Sequence, residues 1–205
     1  MRSSGIVRVA TPETAIVAAT RLEVRAVRRA APHARVVECG VAFSRCDPAS
    51  LGTTVLSCGL AGGLRSDLAT GTVVIADKVR RPNGQEMLCD RALLLQLCVA
   101  ARKLGHEPVV AALVTSTVLV RGVSRARWAE LGYAAVDMES GLIQAPRIGV
   151  VRVILDTPTR ELSERWLQPA RALLEPRLWP QALWLAREAP RCARIAAEIA
   201  AQLAS

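Results

Sequence analysis

Short apolar runs of period-two character alternate along this chain with longer stretches in which apolar positions recur every three or four residues. The first pattern is that of half-buried or buried strands, the second that of helices with one face on a core. Strands are predicted at Ile6–Val9, Thr14–Ala19, Ala34–Glu38, Thr53–Ser57, Thr72–Val79, Pro108–Thr115, Ala134–Asp137 and Ile148–Leu155. Helices are predicted at Arg21–Ala31, Cys89–Leu104 and Arg125–Leu131, with a short one after Asp137 and two or three between Ser163 and the end. Gly59–Leu64 and Arg81–Gln85 read as turns from their Gly, Pro and Asn content. The alternation of strand and helix implies an α/β fold. The expected architecture is a central twisted mixed β-sheet flanked by helices in three layers, with a helical C-terminal tail. No internal repeat or low-complexity linker divides the chain. One domain over 1–205 is expected, with the Trp- and Leu-rich segment 162–205 packed on it.

Composition narrows the class. The chain has 205 residues, 51% of them hydrophobic and 22% charged, with a mean hydropathy of +0.26. A chain of this length buries roughly 70% of its unfolded surface and needs no disulfide or metal staple. Charged residues interrupt every apolar run short of a membrane span. The basic N-terminus has only a short apolar stretch, broken at Arg8, which argues against a signal peptide. A cytoplasmic protein is the expectation. The net charge of +9 invites a nucleic-acid reading. However, the arginines are scattered singly or in pairs, as at Arg28-Arg29 and Arg80-Arg81. Aromatics are only 3% of the chain, too few for platforms on which bases stack. Nucleic acid is therefore an unfavoured partner.

The six cysteines have no paired spacing, and several lie in apolar runs, where a thiol behaves as a small hydrophobe. With only His33 and His106, the chain has little material for a zinc site or a Ser-His-Asp triad. Any chemistry falls to carboxylates, with no metal or organic cofactor expected.

Four segments are candidates. Ser57-Cys-Gly-Leu-Ala-Gly-Gly-Leu64 runs a strand into glycines, which let a ligand approach the backbone or simply make a tight turn. Ala135-Val-Asp-Met-Glu-Ser140 ends a strand in two carboxylates, explained equally by a solvated helix start. Val151-Arg-Val-Ile-Leu-Asp156 delivers a lone Asp at a strand's C-terminal end, where open α/β sheets bind ligands; a helix cap is the plain alternative. Ala15-Ile-Val-Ala-Ala-Thr-Arg-Leu-Glu23 puts Glu23 in the first turn of a helix, where its dipole favours a carboxylate in any case.

In this order and spacing, from about Thr14 to Arg160, the segments resemble the nucleoside phosphorylase and nucleosidase superfamily. The similarity is to the branch of methylthioadenosine/S-adenosylhomocysteine nucleosidases, futalosine hydrolases and hopanoid-associated phosphorylases. Gly59–Leu64 followed by Gly71–Asp77, and Val136-Asp-Met-Glu-Ser140, carry it most specifically. The resemblance implies that Met138 and Glu139 contact ribose and that Asp156 protonates the purine at N7. It makes Glu23 the activator of water. Leu60, Ala61 and Gly62 would line the nucleoside, and Leu119 and Val120 would hold the base. It also implies a homodimer or larger assembly. The tail has apolar side chains available for one in Trp166, Leu167, Leu173, Leu178, Trp179 and Trp184.

The chemistry suits these residue types. Breaking an N-glycosidic bond needs one carboxyl protonated near the base and another ionised near the attacking water, as glycosidases arrange for O-glycosides. The chain lacks the Gly-Asp-Pro run of many phosphorylase phosphate sites. Ala42 stands for a usual second glycine, and Pro146 shortens the segment after Glu139. These departures tilt the expectation toward hydrolysis of a purine nucleoside carrying a 5′ substituent, methylthioadenosine- or adenosylhopane-like. The alternatives are a phosphorylase holding phosphate with Arg45 and Arg21, and a catalytically degenerate nucleoside or nucleotide binder.

Overall fold

A computed structural model describes residues 14–204. The strand predicted at Ile6–Val9 and the side chain of Leu167 lie outside the described residues. The elements, in chain order, are β1 (Ala15–Ala18), α1 (Arg21–Ala30), β2 (Arg35–Glu38), β3 (Thr54–Gly63), β4 (Val73–Arg80), β5 (Glu86–Leu88), α2 (Arg91–Lys103), β6 (Val109–Thr115), α3 (Val123–Glu130), β7 (Tyr133–Asp137), β8 (Arg147–Asp156), α4 (Pro169–Ala172) and α5 (Trp179–Ala201). Tight 3₁₀ turns at Val41–Phe43, Pro48–Leu51 and Ser140–Leu142 punctuate the loops. The last of these stands where the short helix after Asp137 was expected.

The strands form one mixed eight-stranded sheet of order β2-β1-β3-β7-β6-β4-β5. Strand β8 lies parallel to β3 on one side and antiparallel to β4 on the other. The sheet therefore curls until β3, β7, β6, β4 and β8 close a ring. Period-two alternation assigns each strand a helix-facing and an inward-facing set. Leu56, Cys58, Val73, Ile75, Val151 and Val153 pack under the helices with Val27, Leu93, Leu97, Ile195 and Ile199. Val55, Ala61, Val74, Ala76, Val150 and Ile154 point the other way, into a second core with Phe43, Leu51 and Ile143. Helix α3 covers the far side of the ring, where Trp128 packs with Ala112, Val114 and Tyr133.

Local chemistry explains the ends of the helices. Thr20 and Glu23 form a reciprocal capping box at the start of α1, which satisfies donors a helix N-terminus otherwise leaves free. Asp90 caps α2 through the Leu93 N–H at 3.0 Å, so this helix begins at Arg91 rather than at Cys89. In α5 the run Cys192-Ala193 with Ala196, Ala197, Ala200 and Ala201 is buried. These small side chains let the helix lie close on β3, β8 and α1. The tail thus covers the sheet, and only its approach, at Leu162, reaches the cavity described below.

One correction matters for function. Gly59–Leu64 is not a turn: β3 continues extended to Gly63, paired with β8 through Gly62 and with β7 at Gly62 and Gly63. Glycine is needed there for close approach of side chains, not for reversal. Strand β5 also escaped the periodic pattern, because its three residues are too short to show one. All six cysteines are free. Burial pushes the thiols of Cys39, Cys58 and Cys89 up to about 12, which leaves them packed as neutral groups.

Candidate active site

A cavity of about 240 Å³ opens where β1, β3, β7 and β8 end. Its walls include Glu23, Leu60, Ala61, Gly62, Leu119, Val120, Met138, Glu139 and Asp156. Every residue that the nucleosidase resemblance points to is thus brought to one place. Strand ends at the carboxyl edge of a sheet are where such folds present groups to ligands. The volume is near the lower end, roughly 300 Å³, of pockets that hold small ligands.

Glu23 is only 5% exposed, although it sits in the first turn of a helix. One carboxylate oxygen accepts from the Thr20 N–H at 2.8 Å and from the Thr20 hydroxyl at 2.7 Å. The other accepts from the Leu60 N–H at 2.8 Å. The open edge of β3 explains that last bond. Strand β1 pairs with β3 only as far as Ser57, and β7 joins it from Gly62. The Glu23 carboxylate fills the gap between them. A Cβ on Gly59 would stand 2.4 Å from this carboxylate, so only glycine lets the two meet. A helix-start position and a place on the cavity wall are therefore not alternatives: one carboxylate has both.

Arg152 breaks the apolar run of β8 on an inward-facing position and is 2% exposed. It donates to Asp137 at 2.8 Å, to Ser57 Oγ at 2.7 Å and to Ser140 Oγ at 2.9 Å. Asp137 also accepts from the Thr115 hydroxyl at 2.6 Å and from the Ser140 N–H. Such a buried pair is tolerable because its donors and acceptors are matched. The network anchors the end of β7 and hence Met138 and Glu139. A solvated helix start is ruled out for both carboxylates, since Asp137 and Glu139 are 4% and 8% exposed.

Glu139 accepts from the Ala42 N–H at 3.2 Å and from the Met138 N–H at 3.3 Å. Its carboxyl is pushed up to about 7, first by burial and then by the Asp137 carboxylate, against the pull of Arg152. The strand-to-turn segment that reaches it is strained. Ala42 and Phe43 have φ of 50° and 58°, the left-handed region that a β-carbon disfavours.

Asp156 lies at the last position of β8 and caps no helix. Arg125, fully buried at the start of α3, pairs with its carboxylate. The same guanidinium donates to the Gly63 carbonyl at 2.7 Å and to the Val120 carbonyl at 3.1 Å. Burial raises the Asp156 carboxyl above its ordinary range, and Arg125 opposes that rise. Its free oxygen faces Gly62, where a Cβ would come to 3.1 Å.

The sequence gives no role to Arg125 or Arg152, and it marks Asp137 only as one of two carboxylates at a strand end. Arg152 had a signal, a charge at an inward-facing position of an apolar strand. Arg125 had none, as one of several arginines near a predicted helix. Arg45 and Arg21 do not line the cavity; Arg45 pairs instead with Glu38. Among the described residues no cluster of three or more His, Cys, Asp or Glu is placed to hold a metal ion. No described helix is long and apolar enough to cross a membrane.

Solved structures share this fold. An S-adenosylhomocysteine nucleosidase from Streptococcus pyogenes, bound to 5-methylthiotubericidin, superposes with a TM-score of 0.73 over 96% of this chain and 98% of its own, at 17% identity. The chain has the nucleosidase fold. A mutant methylthioadenosine nucleosidase from Helicobacter pylori with 5′-methylthioadenosine in its active site gives a TM-score of 0.71 over 93% and 96%, at 13% identity. Futalosine hydrolase from the same organism gives 0.70 over the same shares, also at 13%. No family model and no curated protein matches the sequence. The nucleosidase fold is thus carried by three-dimensional arrangement with few identical residues.

Proposed function

We propose that this protein hydrolyses the N-glycosidic bond of a purine nucleoside, a 5′-substituted adenosine, to free base and sugar. The observation that carries the reading is two buried carboxyl stations on one cavity wall. Glu23 docks at Gly59 and Leu60 of β3, and Asp156 at Gly62. Two to three extended residues separate these stations, roughly 7–10 Å. This backbone spacing, across the irregularity of β3 between Ala61 and Gly62, leaves room for a sugar and a water between an acid and a base.

In the reaction, the C1′–N9 bond breaks with its electron pair passing to the base, while Asp156 gives its proton to N7. Water forms the new bond to C1′ and gives a proton to Glu23. Glu139 accepts hydrogen bonds from the ribose hydroxyls and, in its ionised form, steadies the positive charge growing at C1′. Leu60, Leu119, Val120 and Met138 supply an apolar wall that keeps bulk water away, which strengthens each electrostatic contact. Exposed Leu173 and Trp179 in the C-terminal segment support a homodimer. Trp184 contributes less to such a surface, because it packs on the core with Arg160 stacked 4.4 Å away.

The test is base release from 5′-methylthioadenosine and adenosine, with and without phosphate. Adenine should appear in phosphate-free buffer, and Glu23→Gln should slow it by about 10²–10⁴. Release only when phosphate is added, with ribose 1-phosphate accumulating, would make the protein a phosphorylase. Nucleoside binding without release would make it a degenerate binder.

A further inference from the structure

Asp156 can act as an acid only if it alternates between neutral and ionised forms, and its buried neighbour makes that difficult. Arg125 is 2% exposed, and a guanidinium keeps its charge. A neutral Asp156 leaves that charge with no anion at its Nη2 end. A buried charge that loses its partner is destabilising by several kcal/mol. A guanidinium held by Asp156 alone would thus keep Asp156 ionised and spoil it as a proton donor.

A second carboxylate lies on the other side of the guanidinium. Glu161 Oε1 is 3.3 Å from Arg125 Nε and accepts from the Gly122 N–H at 2.6 Å. The Leu162 N–H, next in the chain, donates to Asp156 at 3.4 Å, so one short segment touches both ends of the pair. We propose that Glu161 is a positioning residue, the second counter-ion of Arg125, whose charge lets Asp156 take up and release its proton without leaving the guanidinium unpaired. The proposal rests on the nucleosidase reading of Asp156 given above.

The remaining charges nearby are accounted for. Arg121 lies 3.5 Å from Glu161 and 3.6 Å from Glu164, toward solvent. Arg65, Asp67 and Glu130 line a separate groove on the outer side of Arg125, and Arg65 and Asp67 pair with each other. Around the rest of the cavity Glu23, Asp137, Glu139 and Arg152 are bonded as described. Across the wall that holds Asp156, Arg125 is the cation and Glu161 the anion behind it. Glu161 also sits at the start of α3, where an anion stabilises a helix whatever else it does. A purely structural role is therefore the competing account.

Two readouts on the full-length protein separate these accounts. The first is the titration of the Asp156 carboxyl carbon by NMR, in the parent, Glu161→Gln and Glu161→Asp. The second is the basic limb of the kcat/KM profile for 5′-methylthioadenosine, where a general acid loses its proton. Removing the Glu161 charge commits Arg125 to Asp156. In Glu161→Gln both the titration and the basic limb should move down by about one unit, a roughly tenfold loss of the protonated form at neutral pH. Glu161→Asp should restore most of it. An unmoved Asp156 titration beside a lowered melting temperature would reduce Glu161 to a helix cap and overturn the proposal. So would the unfolding of both variants. A parent protein that releases no base at any pH overturns the nucleosidase reading instead, and the titration still decides the role of Glu161.

Discussion

Replacing Gly59 by alanine tests whether the approach of Glu23 to β3 holds the site together. The new Cβ would lie 2.4 Å from Glu23 Oε1, 3.0 Å from its Cδ and 3.3 Å from Arg152 Nη1. A free glutamate would swing aside at little cost. This one is tied by the Thr20 N–H, the Thr20 hydroxyl and the Leu60 N–H. Moving it strands the Leu60 N–H on the inner edge of β3, worth about 1–3 kcal/mol for a buried unsatisfied donor. It also opens the capping box of α1, worth about 1 kcal/mol. The expected loss is therefore about 2–4 kcal/mol, large against the roughly 5–15 kcal/mol that holds a domain folded. With a urea slope of about 2 kcal/mol per molar, the unfolding midpoint should fall by about 1–2 M. A double-mutant cycle isolates the cause. In a Glu23→Ala background the carboxylate is already gone, so Gly59→Ala should cost much less than it does alone. If the two losses simply add, or if Gly59→Ala leaves the midpoint within about 0.25 M of the parent, the close approach contributes nothing and the reasoning is wrong.

Other outcomes follow from the same geometry. Asp156→Asn keeps the shape of the acid without its transferable proton, so base release from 5′-methylthioadenosine should fall by about 10²–10⁴. A nucleoside whose base departs unprotonated should lose far less, and equal losses for both would remove Asp156 as the acid. Glu139, raised from the ordinary carboxylate range to about 7, binds its proton more tightly folded than unfolded. Its contribution to stability is thus complete below about 4.5 and is lost as pH rises through about 7. Glu139→Gln should flatten that decline in chemical denaturation across pH 5–8, and an unchanged slope would place the proton elsewhere. Ala42→Gly should relieve the left-handed backbone beside Glu139 and raise stability by up to about 1 kcal/mol. A melting temperature that falls instead would show that the loop is not strained.

The sequence by itself determined the alternation of strands and helices and the mixed α/β class. The nine wall residues came from the resemblance to the nucleosidases; local pattern marked only the carboxylates among them, Glu23 in a first helical turn and Glu139 and Asp156 at strand ends. What local pattern cannot mark is which segments meet. The glycines of β3 read as a turn because their use depends on Glu23 and on the Asp156–Arg125 pair, 36 and 94 residues away from Gly59 and Gly62 at the farthest carboxylates. Arg125 looked like any surface arginine of a basic chain until tertiary structure set it against Asp156 and Glu161. Ring closure by β8 was equally hidden, since one strand's partners on both edges are fixed by packing across the whole chain. Burial, and with it the raised carboxyls of Glu139 and Asp156, belongs to the folded state alone. A carboxyl changes its affinity for protons only when water is removed from around it and other charges are brought near.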